Sequence, residues 1–408
     1  MKSRGKALYL TYDGLTDPLG QSQVLPYLIG LSQRGWKFSI ISFEKKDAFD
    51  QLENLIRSQL ETHHITWFPK PYTKKPPVLS TVYDLWKMRK IARSLELSSY
   101  DIIHCRSYLT MLVGIGIAEK QRLIFDMRGF WADERVEGNL WPQRLPLYRW
   151  IYHYFKRKEQ QFLEQATAVV SLTEDGILAL KERYGEDVAK SKFTVIPCCV
   201  DVDLFNLEKT PLFSKKSLGF DEDARILIHV GSVGTWYRFD QELRFFEALH
   251  GADPRWRFLV LTKDIERAKD TFERTALSSE FVVFTSANYT EVPSYLSIAE
   301  ASIQLIEPSY AKRASSPVKL AECMAMGLPV IANTGIGDVH GILRTSNGGV
   351  VVSSWEELPA VARAWNPSLY NPEAIRSYAL THFSAALGIE RYAAIYEGKG
   401  TEQNQFKG

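Results

Sequence analysis

The residues in this chain whose types and spacing best suit chemistry are Lys319 and Glu322. They follow Ser315-Ser316-Pro317 and stand three apart, so a helix starting there carries both on one side. Pro317 suits a first helical turn, where its missing N–H is no loss. Leu320, Cys323 and Met324 give the helix an apolar stripe, and Gly327 and Pro329 stop it. Val330-Ile331-Ala332 then begins a short buried strand. A carboxylate one turn into such a helix is placed to accept protons from ribose hydroxyls. Phosphates would lie just ahead of it, around Ser316 and Pro317 on the helix N-terminus and near Lys319. The plain alternatives are a solvated helix carboxylate and a surface lysine.

Further candidates stand where strand-like runs end. His229 to Arg238 follows one such run, with Gly231 and Gly234 letting backbone N–H groups approach a phosphate. Lys263 ends the next run and could reach a diphosphate. In the first half, Gly20 sits in a turn-rich loop, and His104 and Arg106 follow Ile102-Ile103. Arg128, Asp133, Glu134 and Arg135 crowd one loop after Phe125, with Trp131 placed to stack on a sugar face. Here too there are bland readings: charges in that loop pairing with one another, and a satisfied histidine at position 104.

Strands alternating with helices must position these residues. In the first half, strand-like runs at 7–12, 38–43, 65–68, 102–103, 123–125 and 168–171 alternate with helical stretches at about 22–34, 80–97, 108–119 and 144–165. A second alternating series runs from 225 to 333. Weak strand 349–352 and helices 354–365 and 371–396 follow it. The pattern predicts an α/β protein with two doubly wound parallel sheets, whose ligands lie beyond the carboxyl ends of the strands. The expected division is 1–197 for the first domain, 198–224 for the passage, 225–370 for the second domain and 371–408 for helices returning to the first.

At 408 residues the chain exceeds one ordinary core. A net charge of +2 argues against a dedicated nucleic-acid binder. Four cysteines lack metal-site spacing and are expected reduced. No apolar run approaches the length of a membrane span and no signal peptide is evident, so a cytoplasmic protein is expected. The 144–158 helix is basic and aromatic, which suits either the inner face of the plasma membrane and a lipid-linked acceptor, or one buried aromatic face.

The stretch 315–333 resembles the nucleotide-sugar motif of GT-B glycosyltransferases, in particular the family-four retaining enzymes. Glu322 matches the second of that family's two glutamates; the first falls on Ala314 and is absent. Val195 to Phe205 resembles the family's interdomain passage, with Cys198-Cys199 in place of Asn-Gly. The resemblance implies two Rossmann-like domains facing each other across a cleft. It places Gly20 and Gln21 in the loop that touches donor phosphate or acceptor. It puts Arg128 where a histidine often meets the donor sugar, Ser232 where an arginine is usual, and Arg238 as a substitute for a lysine. It puts Asn288 where the backbone reads the base.

The implied activity is metal-independent transfer from a nucleoside diphosphate sugar to a glycan or lipid-linked hydroxyl acceptor. Retention, and a role in bacterial polysaccharide or glycoconjugate synthesis, follow from the resemblance. Arg238, Lys319 and Arg128 are the expected catalytic cations; no cofactor and no metal are expected. The alternatives are a non-catalytic nucleotide-sugar or glycan-binding protein on the same fold, and a same-fold hydrolase or epimerase.

Overall fold

The computed structural model describes residues 4–186, 193–206, 208 and 214–399. They divide into two compact units: one running up to Pro197 and resuming at Ala385, the other spanning Cys198–Ser384.

Unit 1 begins with β1 (Gly5–Thr11), α1 (Pro18–Gln23), α2 (Leu25–Gln33), β2 (Trp36–Glu44), α3 (Lys46–Thr62), β3 (Thr66–Pro71) and α4 (Leu79–Ser94). It continues through β4 (Ile102–Arg106), α5 (Ser107–Gly114), β5 (Arg122–Asp126), α6 (Trp131–Glu137), α7 (Pro146–Gln165), β6 (Ala168–Ser171), α8 (Glu174–Tyr184) and β7 (Phe193–Val195). The sheet order is β3-β2-β1-β4-β5-β6-β7, all parallel. The winding reverses between β1 and β4. A parallel sheet leaves a crevice at that point, beyond the strands' carboxyl ends.

Unit 2 repeats the plan. Its elements are β8 (Arg225–Val230), α9 (Phe239–Ala252), β9 (Trp256–Leu261), α10 (Ile265–Phe272), β10 (Val282–Thr285), α11 (Val292–Leu296) and β11 (Ala301–Gln304). Then come α12 (Val318–Ala325), β12 (Val330–Asn333), α13 (Val339–Ser346), β13 (Gly349–Val352), α14 (Leu358–Ala364) and α15 (Pro372–Phe383). The order β10-β9-β8-β11-β12-β13 reverses between β8 and β11. Strand alternation splits the core in two. Ile226 and Ile228 face a layer with Leu320, Met324 and Phe383. Leu227 faces one with Phe239, Phe246 and Trp256.

The last helix, α16 (Ala385–Tyr396), belongs to unit 1. It packs so closely on α2 that a side chain at Gly30 would strike Ile389. Arg122 closes its end, donating to the Tyr396 and Ile395 carbonyls at 2.9 and 2.6 Å.

Several sequence expectations are corrected. The stretch 22–34 is two helices broken at Val24, whose φ of −129° is not helical, and Pro26 opens the second. The 371–396 stretch breaks at Ser384, in extended conformation. The charged run after Asp126 is a loop only to Phe130; α6 follows it. Helices α3, α8 and α13 and strand β7 were not expected. The passage expected at 198–224 and the segment at 371–408 lie partly outside the described residues.

Candidate active site

In unit 2 the switch point is built by zipping two loops together. Tyr237 bridges both Gly234 and Ile306. Arg238 N donates to the Leu305 carbonyl at 2.9 Å, and Glu307 N to the Trp236 carbonyl at 2.7 Å. Asn333, at the end of β12, ties in a third chain: its Oδ1 accepts from Ile306 N at 2.8 Å and its Nδ2 donates to the Ile306 carbonyl at 2.9 Å. Below them, buried Glu242 holds His229 Nδ1 at 2.6 Å and accepts from Leu305 N at 2.9 Å.

Helix α12 places Lys319 over this turn. Gly231 has φ +114°, and a Cβ there would lie 3.1 Å from Lys319 Nζ. Glycine therefore serves both the backbone conformation and the lysine's approach. The ammonium stands 3.8 Å from the centroid of the Tyr237 ring. It is buried and has no hydrogen-bond partner among the described residues. Burying an ammonium without a hydrogen-bond partner is costly, and the carboxyl whose ionised form it favours is that of Glu322.

Glu322 is the next group along the same face. It is 7% exposed. Burial pushes its carboxyl up to about 7, against the Tyr289 hydroxyl hydrogen bond and Lys319. The Tyr289 hydroxyl is the carboxyl's present partner. Ser316 Oγ is engaged by Cys198 N at 3.2 Å. Pro317 caps α12 rather than lying inside it. Ala314, where the family's first glutamate would stand, is buried.

Arg238 is less available than its type suggested. It donates to Asp240 at 3.0 and 2.8 Å and to Glu307 at 2.6 Å. These carboxylates, Asp240 first, hold its pKa above the ordinary value despite some burial. Lys263 and Ser232 are exposed at the loop tips. Asn288 begins a short turn whose Glu291 carboxylate accepts from Asn288 N at 2.7 Å.

Two residues were missed. Gln304, at the end of β11, is buried with both amide atoms unpartnered among the described residues. Strand parity puts it on the α12 side of the sheet, between Ile303 and Leu305, which face the other core. Its signal was an amide side chain in a run, 301–306, that is otherwise apolar apart from Ser302. Arg267, on α10, lies against Gly234, whose φ is +91°. Nothing in the sequence connected those two positions.

Unit 1 gathers a second polar cluster at its switch point. His104, Arg106 and Asp126 are buried at the ends of β4 and β5, with Arg106 paired in register with Asp126. Arg106 Nε donates to Asp13 at 3.3 Å and its Nη1 lies 3.7 Å from Asp126. Arg128 has φ +57° and places Nη1 3.9 Å from Asp126. Burial alone would raise Asp126, but Arg128, His104 and Arg106 outweigh it and hold the carboxyl below its usual range. Burial pushes the His104 ring down, against the hydrogen bond and charge of Asp126. Helix α16 completes the cluster: Tyr392 donates to Asp126 at 2.9 Å, and Tyr396 meets His104 Nδ1 at 2.9 Å.

The remaining unit 1 candidates have structural duties. Gly20 lies inside α1, not ahead of a helix, and its close approach is to Gly14 and Leu15 of its own loop. Gln21 donates to the Thr16 carbonyl at 3.0 Å. Asp133 is buried on α6 and binds Lys156 at 2.7 Å and Tyr152 at 2.8 Å, so it fastens α7 and is not exposed to an acceptor. Glu134 is its half-buried neighbour on the same helix.

Two parallel-sheet units, each reversing its winding at a switch point lined with polar groups, make up the two-unit GT-B fold. Residues 24–204 match the Glycosyltransferase Family 4 model and residues 212–365 the Glycosyl transferases group 1 model. The chain belongs to these glycosyltransferases and is an enzyme of that kind. The fold is that of sucrose-phosphate synthase from Thermosynechococcus elongatus (TM-score 0.73, 15% identity, covering 97% of this chain and 99% of that one). A glycosyltransferase from Rickettsia africae is similar as well (0.68, 18%, 97% and 98%). So is Anabaena HepE in complex with UDP (0.66, 14%, 96% and 100%). No curated protein sequence matches the chain.

Proposed function

We propose that the enzyme transfers a sugar from a nucleoside diphosphate sugar to a hydroxyl acceptor, with retention and without a metal, in bacterial polysaccharide or glycoconjugate synthesis. The observation that carries the donor class is Lys319: a buried ammonium that no anion hydrogen-bonds, over a glycine turn at the sheet's switch point. A diphosphate supplies such an anion, and the ribose of the same ligand reaches Glu322 by displacing the Tyr289 hydroxyl.

As the bond from the anomeric carbon to the β-phosphate oxygen breaks, charge grows on the leaving diphosphate. Lys319 stabilises it together with the N–H groups of Ser232 and Gly234, since those of Gly231 and Val233 already donate to the Leu261 carbonyl and to Asp264; in this reading no metal is needed. The acceptor oxygen bonds to the anomeric carbon and its proton departs with the diphosphate. Retention and the bacterial setting rest on the family alone. Arg238 would have to leave two carboxylates to help, so Lys319 is the principal cation of unit 2 in this reading. In unit 1, Arg106 and Arg128 are balanced by Asp13 and Asp126, so that cluster is given no ligand in this reading.

HepE was crystallised with UDP, which makes UDP the first probe. UDP, ADP, GDP and dTDP are compared by thermal shift with wild-type protein and Lys319→Met. One nucleotide should raise the melting temperature of wild type alone. Equal shifts in both proteins would remove Lys319 from the diphosphate site. Release of nucleoside diphosphate only with an acceptor present marks a transferase; release without one marks a hydrolase or epimerase, and binding without release a binding protein. Among the described residues no helix is long and apolar enough to cross a membrane. Contact of the 144–158 region with an anionic bilayer belongs to this proposal.

A further inference from the structure

Unit 1 carries a groove that the donor chemistry does not use. It runs between α4 and α7, with Leu109, Leu112 and Val113 of α5 among its walls, and its volume is about 1050 Å³. That is at the upper end of small-molecule sites, which span about 300–1,000 Å³.

The flanking helices turn apolar surface outward. On α4, Leu79, Val82, Tyr83 and Trp86 recur at helical spacing and are 67%, 59%, 53% and 55% exposed, while Asp84 is fully buried. A helix that only packed on its own core would show the reverse pattern. At the start of α7, Leu147 and Trp150 are likewise more than half exposed. Contiguous exposed apolar surface of this kind marks a place where something binds.

Charge narrows the occupant. Lys74, Arg89, Arg135 and Lys158 line the groove, and no aspartate or glutamate does. Arg89 Nε is buried without a hydrogen-bond partner among the described residues. Apolar and aromatic walls carrying cations and no carboxylate complement a long hydrocarbon chain ending in an anion. We propose that this groove binds the hydrocarbon chain of a phosphate-bearing lipid acceptor, its phosphate met by Arg89 and the other lining cations. The word acceptor rests on the transferase reading above; the lipid site itself does not.

Dodecyl phosphate, kept below its micelle concentration, is titrated into the full-length protein and followed by tryptophan fluorescence. Trp86, Trp131, Trp141 and Trp150 all line the groove. Saturable binding is expected, about tenfold weaker for dodecanol and for either Arg89→Ala or Lys158→Ala, as loss of one charged hydrogen bond predicts. Leu112→Trp, which fills the groove, should abolish it. The thermal shift given by nucleotide should be the same in all three variants. No saturable binding of dodecyl phosphate overturns the proposal. Binding confined to phosphatidylglycerol vesicles does so too, by making the patch a bilayer contact. Equal affinity for dodecanol removes the phosphate from it. If dodecyl phosphate binds while no nucleotide does, the donor reading falls and the lipid site stands.

Discussion

Replacing Glu322 with Gln tests whether its burial has the electrostatic consequence the structure implies. The carboxyl is 7% exposed, and burial raises its pKa from 4.5 to about 7. Holding its ionised form in the fold therefore costs about 3 kcal/mol, at 1.36 kcal/mol per pH unit. The folded state binds this proton more tightly than the unfolded chain does. Wild-type stability consequently falls as pH rises from about 4.5 to about 7 and stays low above that. Gln keeps an oxygen for the Tyr289 hydroxyl but cannot ionise. The variant should match wild type near pH 4.5 and exceed it at pH 8 by up to about 3 kcal/mol, or about 6–12 °C in melting temperature for a unit of this size. Differential scanning fluorimetry from pH 4.5 to 8.5 reads the difference directly. A difference that does not change with pH refutes the reasoning. Nucleotide adds a second reading: ribose hydroxyls that donate to the carboxylate favour its charged form, so binding near pH 6.5 releases protons, seen by calorimetry in two buffers of different ionisation heat.

Lys319→Met should cut turnover about 10²–10³-fold and, because Lys319 favours the ionised form of buried Glu322, push that carboxyl's titration upward; a titration left where wild type has it would show the two groups to be uncoupled. Asp133→Ala takes from Lys156 the carboxylate at 2.7 Å and from the Tyr152 hydroxyl an acceptor at 2.8 Å; a loss of about 3–5 kcal/mol is expected from denaturant melts, and less than 1 kcal/mol would deny the buried pair its fastening role. Asn333→Ala strands the buried Ile306 N–H and carbonyl, at about 1–3 kcal/mol for each unsatisfied group. Hydrogen exchange at Ile306 should accelerate, and unchanged protection there would contradict the tie between β11 and β12.

The two alternating halves were legible because short apolar runs such as Val330-Ile331-Ala332 are buried on both faces, leaving composition and punctuation as clear signals. The Lys319 and Glu322 pairing was legible for the same reason: helical spacing is local. What the sequence hid was set by distant partners. Arg238 reads as a free cation until Glu307, far along the chain, is seen to hold it. Asp133 reads as a loop charge because the lysine that claims it lies a helix away. Gly20 reads as an opening for phosphate, although the atoms it admits are those of its own loop. The Tyr392 and Tyr396 hydroxyls were invisible, since only the return of α16 brings them to Asp126 and His104.

That return fixes an order of events during synthesis. The ribosome makes β1 to β7 first, then all of unit 2, and only afterwards the helix that finishes unit 1. Until then Asp126 and His104 lack their phenolic partners and Gly30 faces no neighbour, while unit 2 already has every segment it needs. The half made first is therefore the half completed last, and a fragment ending at Pro197 would leave the ribosome with a polar pocket open where the finished enzyme has it sealed.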